Sequence, residues 1–414
     1  MTPDRDRILH DLETLSSVGT TTSGGVTRLA YTSAERQAHD VVSRWMADLG
    51  LSVVEDHAGN TFGVRRRDGM TVLIGSHLDT VPEGGRFDGA AGVVCAIEVA
   101  RLLAREGWPV SAFGIVAFAA EEGARFGRPL LGSSMAAGLM AEESLDTIKD
   151  SQGMTLRQAM HAVGIGGGPT VADRLRPLVY LELHVEQGSV LEEQTVKLGV
   201  VQGASGVCRL RVSLDGRGGH SGTAPMENRS DSLAAAAEII LQVEASATST
   251  GQGSRGTVGA IRVSPNVVNA LARQAVLEVD LRATQEEALS ALQDRVIRAV
   301  RTVARRREVD ARVEQIMFQQ PIELDPAVRE LLEGRCRVLG EPYRTIWSYA
   351  AHDAMAMAAI GKTGMLFVPS RGGISHHPDE WSDARDIELG ALVLKSAVIS
   401  LDERLRLGHD SLTP

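Results

Sequence analysis

Cysteine is scarce: the 414 residues hold three, Cys95, Cys208 and Cys336, odd in number and scattered. That argues against a disulfide framework and predicts a reducing, cytoplasmic compartment. No Cys-x-x-Cys occurs, so any metal site must be built from His and carboxylates. Aromatic residues make up only 4%, while glycine is plentiful at 43 residues. This composition suits tight strand-to-loop turns better than aromatic stacking platforms. Basic residues are outnumbered, and the net charge is −10 at pH 7. A general nucleic-acid binder carries the opposite sign, because phosphates must be neutralised. The longest basic run, Arg305-Arg306-Arg307, falls in a helical stretch and reads as a solvated face. No apolar run reaches the roughly 18 residues that a membrane-spanning helix needs. The first residues, Met1-Thr2-Pro3-Asp4-Arg5-Asp6-Arg7, lack the apolar stretch of a signal peptide.

What is present points to a folded α/β protein. Hydrophobic residues are 43% and charged residues 23%, close to the globular average. The length predicts two or three domains at roughly 150 residues each. Helical periodicity covers 5–18, 33–49 and 90–105, and 133–162 in pieces. Apolar runs at Val72–Gly75, Ser111–Ala120, Leu178–Val185 and Gly364–Pro369 read as buried strands. Helices 326–338 and 384–404 complete this part. Strands alternating with helices predict a mostly parallel sheet with helices on both faces. Between these parts the pattern changes. Strand Val207–Leu214, helix 230–246, strands Thr257–Val263 and Ala275–Arg282, helix 285–305 and strand Arg312–Phe318 follow in order. That βαββαβ series predicts an inserted ferredoxin-like α+β domain. The expected organisation is a catalytic domain of 1–208 and 322–414, with 209–321 inserted.

Ligands of open α/β sheets bind at the carboxyl ends of the strands. The predicted strands end in Ser76-His77-Leu78-Asp79-Thr80, in Glu121-Glu122-Gly123, in His184-Val185-Glu186-Gln187-Gly188 and in Ser375-His376-His377-Pro378. Asp88 lies in Gly84-Gly85-Arg86-Phe87-Asp88-Gly89, just after the first. Each end delivers a His or a carboxylate to one edge. Zn²⁺, Co²⁺, Ni²⁺ and Mn²⁺ all accept imidazole with carboxylate. Five plausible ligands and a spare Glu exceed what one ion needs and suit two ions sharing a carboxylate. Asp79, two residues after His77, is placed to hold the other ring nitrogen.

These motifs resemble the amidase/hydantoinase/carbamoylase branch of the M20 metallopeptidase superfamily. The resemblance rests on Gly75–Val81, Gly84–Gly89, Glu121-Glu122-Gly123-Ala124-Arg125-Phe126, Leu181–Gly188, Phe367-Val368-Pro369-Ser370 and Gly372–His376, and runs over nearly the whole chain. His184, where peptidase relatives often carry an acid, favours the amidase branch. The resemblance implies His77, Asp88, Glu122, His184 and His376 as metal ligands, with Asp88 bridging. His376 is preferred to His377 because the family's last ligand lies two residues before a proline. It implies Glu121 as general base, with Asp79 and His220 completing the catalytic set. Gln187, His220, Asn269, Arg282 and Gly373 are the implied substrate contacts, and the inserted domain is the implied lid and dimerisation domain. The implied reaction is hydrolysis of the ureido amide of an N-carbamoyl-L-amino acid to amino acid, CO₂ and ammonia. Allantoate and N-carbamoyl-β-alanine are the alternative substrates, and a non-catalytic metal-binding homologue is the alternative of another class. The chain departs from the family's usual Gly-Ala-Gly-His-Asp with Tyr349-Ala350-Ala351-His352-Asp353. The expected protein is thus a homodimer with two divalent ions and a small-molecule ureido substrate, without nucleic-acid or membrane partners.

Overall fold

The computed structural model describes residues 3–65, 71–107, 113–166, 177–251 and 253–406. Two compact units emerge, Met1–Gln202 with Leu324–Pro414, and Gly203–Glu323.

At the centre of the first unit four strands run parallel, in the order Phe113–Phe118, Thr71–His77, Pro177–Val185 and Lys362–Val368. Thr61–Val64 and Ser52–Glu55 extend one side and Leu198–Ala204 the other, all antiparallel. Parallel strands must be covered on both faces, and side-chain alternation sorts the two cores. Ile74, Ile115, Leu181, Leu183 and Leu366 join one core with helices Arg5–Ser17, Ser33–Asp48, Ala90–Arg105, Pro326–Val338 and Ala384–Arg406. Leu73, Val116, Phe118, Tyr180, Met365 and Phe367 join the other, with Leu131–Ala136 and Asp353–Met357.

Ala90–Arg105 is apolar nearly all round, as a buried helix should be. It lies so close to the sheet that a Cβ on Gly92 would sit 2.3 Å from the Leu183 carbonyl oxygen and 2.7 Å from Ser76 Cβ. Neither atom can yield cheaply. Gly92→Ala is expected to destabilise the protein by roughly 1–3 kcal/mol, measured as a lower denaturant midpoint. An unchanged midpoint would contradict this close packing.

The strand expected over Ser111–Ala120 is seen over Phe113–Phe118; Ser111 and Ala112 lie outside the described residues. Ala119 and Ala120 leave the sheet because Ala120 turns left-handed, with φ 56°. Region 133–162 resolves into Leu131–Ala136, Ser144–Thr147 and Leu156–Ala162. Strands Ser52–Glu55, Thr61–Val64, Leu198–Ala204 and Tyr343–Ser348 were not among the sequence expectations. The first two are only four residues long, and Tyr343–Ser348 is mostly exposed or half-buried.

The second unit orders its strands Asp310–Gln319, Gly206–Asp215, Gln274–Ala283, Arg255–Ser264, all antiparallel. With helices Ser232–Thr250 and Glu286–Arg306 this is the βαββαβ ferredoxin-like arrangement. Cys208, Leu210, Val212 and Leu214 face the helices. Arg209 and Arg211, on the alternate positions, pair with Asp280 and Glu278 on the other face. A separate two-stranded ribbon pairs Gly219–His220 with Ala270–Leu271.

Candidate metal centre and active site

The four central strands are parallel, so their carboxyl ends share one edge. His77 closes its strand and His184 sits one residue from the end of its own. Register places His77 beside Phe118 and His184 beside Phe367. Glu121 and Glu122 follow Phe118 after a two-residue step, and His376 follows the last strand through the turn Arg371–Gly373.

These side chains meet around Asp88. His184 Nε2 is 3.1 Å and His77 Nε2 3.6 Å from Asp88 Oδ1. His376 Nε2 is 3.1 Å from Asp88 Oδ2 and 3.3 Å from Glu122 Oε2. His77, Asp88 and His184 thus form one donor group, and Asp88, Glu122 and His376 a second. Asp88 belongs to both and turns one oxygen toward each. His377, by contrast, is exposed, with its ring 3.6 Å from Asp379.

The hydrogen bonds identify which nitrogens are available. His184 Nδ1 lies 2.9 Å from the Val185 carbonyl and His77 Nδ1 3.1 Å from the Asp79 carbonyl. A carbonyl only accepts, so each Nδ1 carries its proton. In the neutral rings each Nε2 is then a lone pair, and the two Nε2 atoms lie 3.5 Å apart. Asp88 Oδ1, Glu121 Oε1 and Glu122 Oε1 are buried without a hydrogen-bond donor. Lone pairs facing carboxylate oxygens at these distances fit divalent cations. Burial and the neighbouring Asp88 push Glu122 up to about 8. Burial raises Glu121 well above the usual carboxylate range; His77 opposes this, and Asp353 and Glu122 reinforce it. His77, Asp88, Glu122, His184 and His376 could thus hold divalent ions.

The supports of the site differ in detail from expectation. The Asp79 main-chain carbonyl, rather than its carboxylate, accepts from His77; the nearer carboxylate oxygen is 3.6 Å away. The carboxylate instead accepts the backbone N–H groups of Glu121 at 2.8 Å and Glu122 at 3.1 Å. Gln187 is turned toward the ligands, its Nε2 donating to Asp88 Oδ2 at 2.9 Å. Gly373 has φ 66°, and a Cβ there would meet Ser189 N at 2.9 Å, so only glycine fits that turn.

Three residues that sequence reasoning left unassigned brace the centre. Glu380, 1% exposed, accepts from the backbone of Phe87 and Asp88 and from Ser375 Oγ. It thereby ties the Asp88 loop to the His376 loop. Glu182 accepts from Ser76 Oγ and Ala354 N. His352 packs edge-on against the His184 ring, centroids 4.5 Å apart. Glu182 shares a strand face with His184, which was the available signal; for Glu380 the only signal was nearness to His376.

The remaining expected residues belong to the second unit. His220 lies in the ribbon and is exposed. Gly222 N donates to its Nδ1 at 3.1 Å, so Nε2 carries the proton of the neutral ring and can donate. The Asn269 carbonyl accepts from Ser221 N, and this brings Asn269 beside His220. Arg282 is in the four-stranded sheet, its guanidinium on the Asp280 carboxylate at 2.7 Å and 3.2 Å. His220 and Asn269 are thus neighbours, while Arg282 is held on a different sheet.

Residues 73–400 match Peptidase family M20/M25/M40. An N-carbamoyl-L-amino acid amidohydrolase of Geobacillus stearothermophilus is 37% identical over 406 residues, spanning 96% of this chain and 98% of that protein. A ureidoglycolate hydrolase of Arabidopsis thaliana is 33% identical, spanning 96% and 87%. An allantoate amidohydrolase of Bacillus subtilis is 32% identical, spanning 96% and 98%. Among solved structures, an amidase of the hydantoinase/carbamoylase family from Burkholderia multivorans superposes with TM-score 0.90 at 32% identity, over 96% of this chain and 98% of that one. The chain belongs to peptidase family M20/M25/M40, a family of hydrolases acting on amide bonds.

Proposed function

We propose that this protein is a binuclear-metal amidohydrolase that cleaves the ureido amide of N-carbamoyl-L-amino acids, releasing amino acid, CO₂ and ammonia. The observation that carries the reading is the pair of donor groups sharing Asp88, with the buried Glu121 beside them. Divalent ions held there would supply Lewis acidity and a water nucleophile at neutral pH. Zn, Mn, Co and Ni all suit the donors. Glu121 takes the proton of the attacking water and returns it to the leaving nitrogen. Asp79 fixes that carboxylate by holding its main chain. The His220 Nε2–H donates to the oxygen that gains negative charge. Arg282 supplies guanidinium N–H donors to the substrate carboxylate while its Nε and Nη2 also hold Asp280. Asn269, Gln187 and Gly373 orient the remaining polar atoms.

The Gly203–Glu323 unit serves as lid and dimerisation domain in this reading. One of its two edge strands, Arg255–Ser264, exposes Ile261, and Val268, four residues beyond that strand, is fully exposed. An open strand edge is a ready pairing surface. Ureido substrates of the allantoate and ureidoglycolate type are the second reading, favoured by the relatives bearing those names.

The deciding experiment is ammonia release by the metal-reconstituted protein on a panel. It comprises N-carbamoyl-L- and D-amino acids, N-carbamoyl-β-alanine, allantoate and ureidoglycolate. The expected outcome is the highest kcat/KM on an N-carbamoyl-L-amino acid. Preference for allantoate or ureidoglycolate would move the enzyme to the second reading, with Glu121 and the metal ligands keeping their roles. No turnover on any of them by metal-loaded protein would sink the amidohydrolase reading.

A further inference from the structure

The segment that carries Glu121 is held in an unusual way. Beyond Phe118 the chain leaves the sheet, yet four consecutive backbone N–H groups stay paired, the first three of them buried. Each is accepted by a side chain from elsewhere in the sequence. Ala119 N donates to Asn60 Oδ1 at 2.9 Å, and Ala120 N to Glu35 Oε1 at 2.9 Å. Glu121 N and Glu122 N donate to the two oxygens of Asp79. The carbonyls of Ala119, Ala120 and Glu121 accept from Gly132, Leu131 and Leu130. Three side chains therefore stand where a neighbouring strand would otherwise be.

Ala120 is the stressed link, because it is left-handed without being glycine. That conformation crowds a residue that carries a Cβ and persists only where the surroundings over-determine it. Glu35 is the group that bonds the Ala120 N–H. It lies in the first turn of helix Ser33–Asp48, where a Glu ordinarily caps its own helix. Here it is 2% exposed, and its other oxygen accepts from Tyr31 N. A buried carboxylate with one oxygen on its own helix entry and the other on Ala120 ties that entry to the residue before the base. Arg125 repeats the link from the far side, donating to the carbonyls of Ala30 and Tyr31.

We infer that Glu35 is a positioning residue for the general base: by accepting the Ala120 N–H it holds the left-handed step that aims Glu121 into the metal centre. The inference rests on the assignment of Glu121 as base.

The test is steady-state kinetics and metal content of Glu35→Gln and Glu35→Asp. Gln keeps an acceptor for the Ala120 N–H but sets an amide against one of the two donors. Asp keeps the carboxyl group but withdraws it by one methylene. Misplacement of a reacting group by about 1 Å costs up to about a hundredfold. The expected order of kcat is parent above Gln above Asp, with losses of about tenfold and about a hundredfold, KM changed by less than about twofold, and two metals per chain retained. A structural role alone would lower stability or metal content without separating kcat from KM. The inference is overturned if the Asp variant keeps kcat within about twofold of the parent, or if the loss falls in KM or metal content. Glu121→Gln on the same substrate separates the two claims. If it stays active, the base assignment itself fails; if it is silent while Glu35→Asp runs at parental rate, only the role of Glu35 fails. Should both Glu35 variants fail to fold, hydrogen exchange of the intact protein decides. Ala119–Glu122 amides exchanging as slowly as the central strands support the inference, and exchange at loop rates overturns it.

Discussion

Glu121→Gln is expected to lower kcat by 10²–10⁴-fold while two metals per chain are retained; general acid–base catalysis contributes about that much. The amide matches the carboxylate in shape, so the buried site has little reason to collapse. What it loses is the ability to accept a proton. Glu121 Oε1 is buried without a donor, and Oε2 lies 3.8 Å from His77 Nε2. Glu121 is absent from both donor groups around Asp88, which is why its loss should spare metal binding. Burial favours the protonated form of Glu121, and cations alongside favour the ionised one. Opposing influences of this kind suit a group that must take up and release a proton in one turnover. Metal analysis beside kinetics checks the claim. A Gln variant within about tenfold of the parent, fully metal-loaded, would remove Glu121 from the mechanism.

Asp88→Asn is expected to lower metal content below two per chain and to abolish most activity. Asp88 is the single residue common to both donor groups, with one oxygen toward His77 and His184 and the other toward His376. An amide can turn only one oxygen to either side. Its NH₂ then faces the imidazole lone pairs or the carboxylate of Glu122. Loss of residues that merely support metal ligands costs about 10–100-fold in affinity or activity, and loss of a shared ligand should exceed that. His376→Ala should behave differently, because it removes a donor from one group only; one metal should remain. Elemental analysis of the two variants distinguishes them. An Asp88→Asn protein that still holds two ions would show that the groups do not share this carboxylate. Chelation of the parent should abolish turnover, with recovery on adding Zn²⁺, Mn²⁺, Co²⁺ or Ni²⁺.

Much of the architecture was legible because it is written in local patterns. Continuous apolar runs marked the buried strands, 3.6-residue periodicity the long helices, and the βαββαβ series the second unit. The short strands were missed for the same reason. Ser52–Glu55 and Thr61–Val64 are four residues each, too short to stand out as apolar runs. Ligand types were legible too. His and carboxylates at the ends of parallel strands point to a metal whatever the detail of packing, since such strands end at one edge. The hydrogen bonds around them were not. Proximity in sequence suggested that the Asp79 carboxylate would hold His77, but its main chain does so and the carboxylate turns to Glu121 and Glu122.

The sequence by itself therefore determined the chemical inventory of this protein: a His and carboxylate centre, its place at strand ends, the two-part α/β and α+β organisation, and the family. Those properties depend on residue type and short-range periodicity. Only the tertiary structure decided that Asp88 is the shared carboxylate in geometry as well as by resemblance, and that Glu380 ties the loops of Asp88 and His376. It alone brought Glu35 and Asn60 to the backbone of Ala119 and Ala120. Glu35 lies 85 residues from Ala120, and in its own helix it is indistinguishable from an ordinary first-turn acid. A hydrogen bond to a backbone amide leaves no mark on the residue that supplies the amide, so such partners emerge only when the chain has folded.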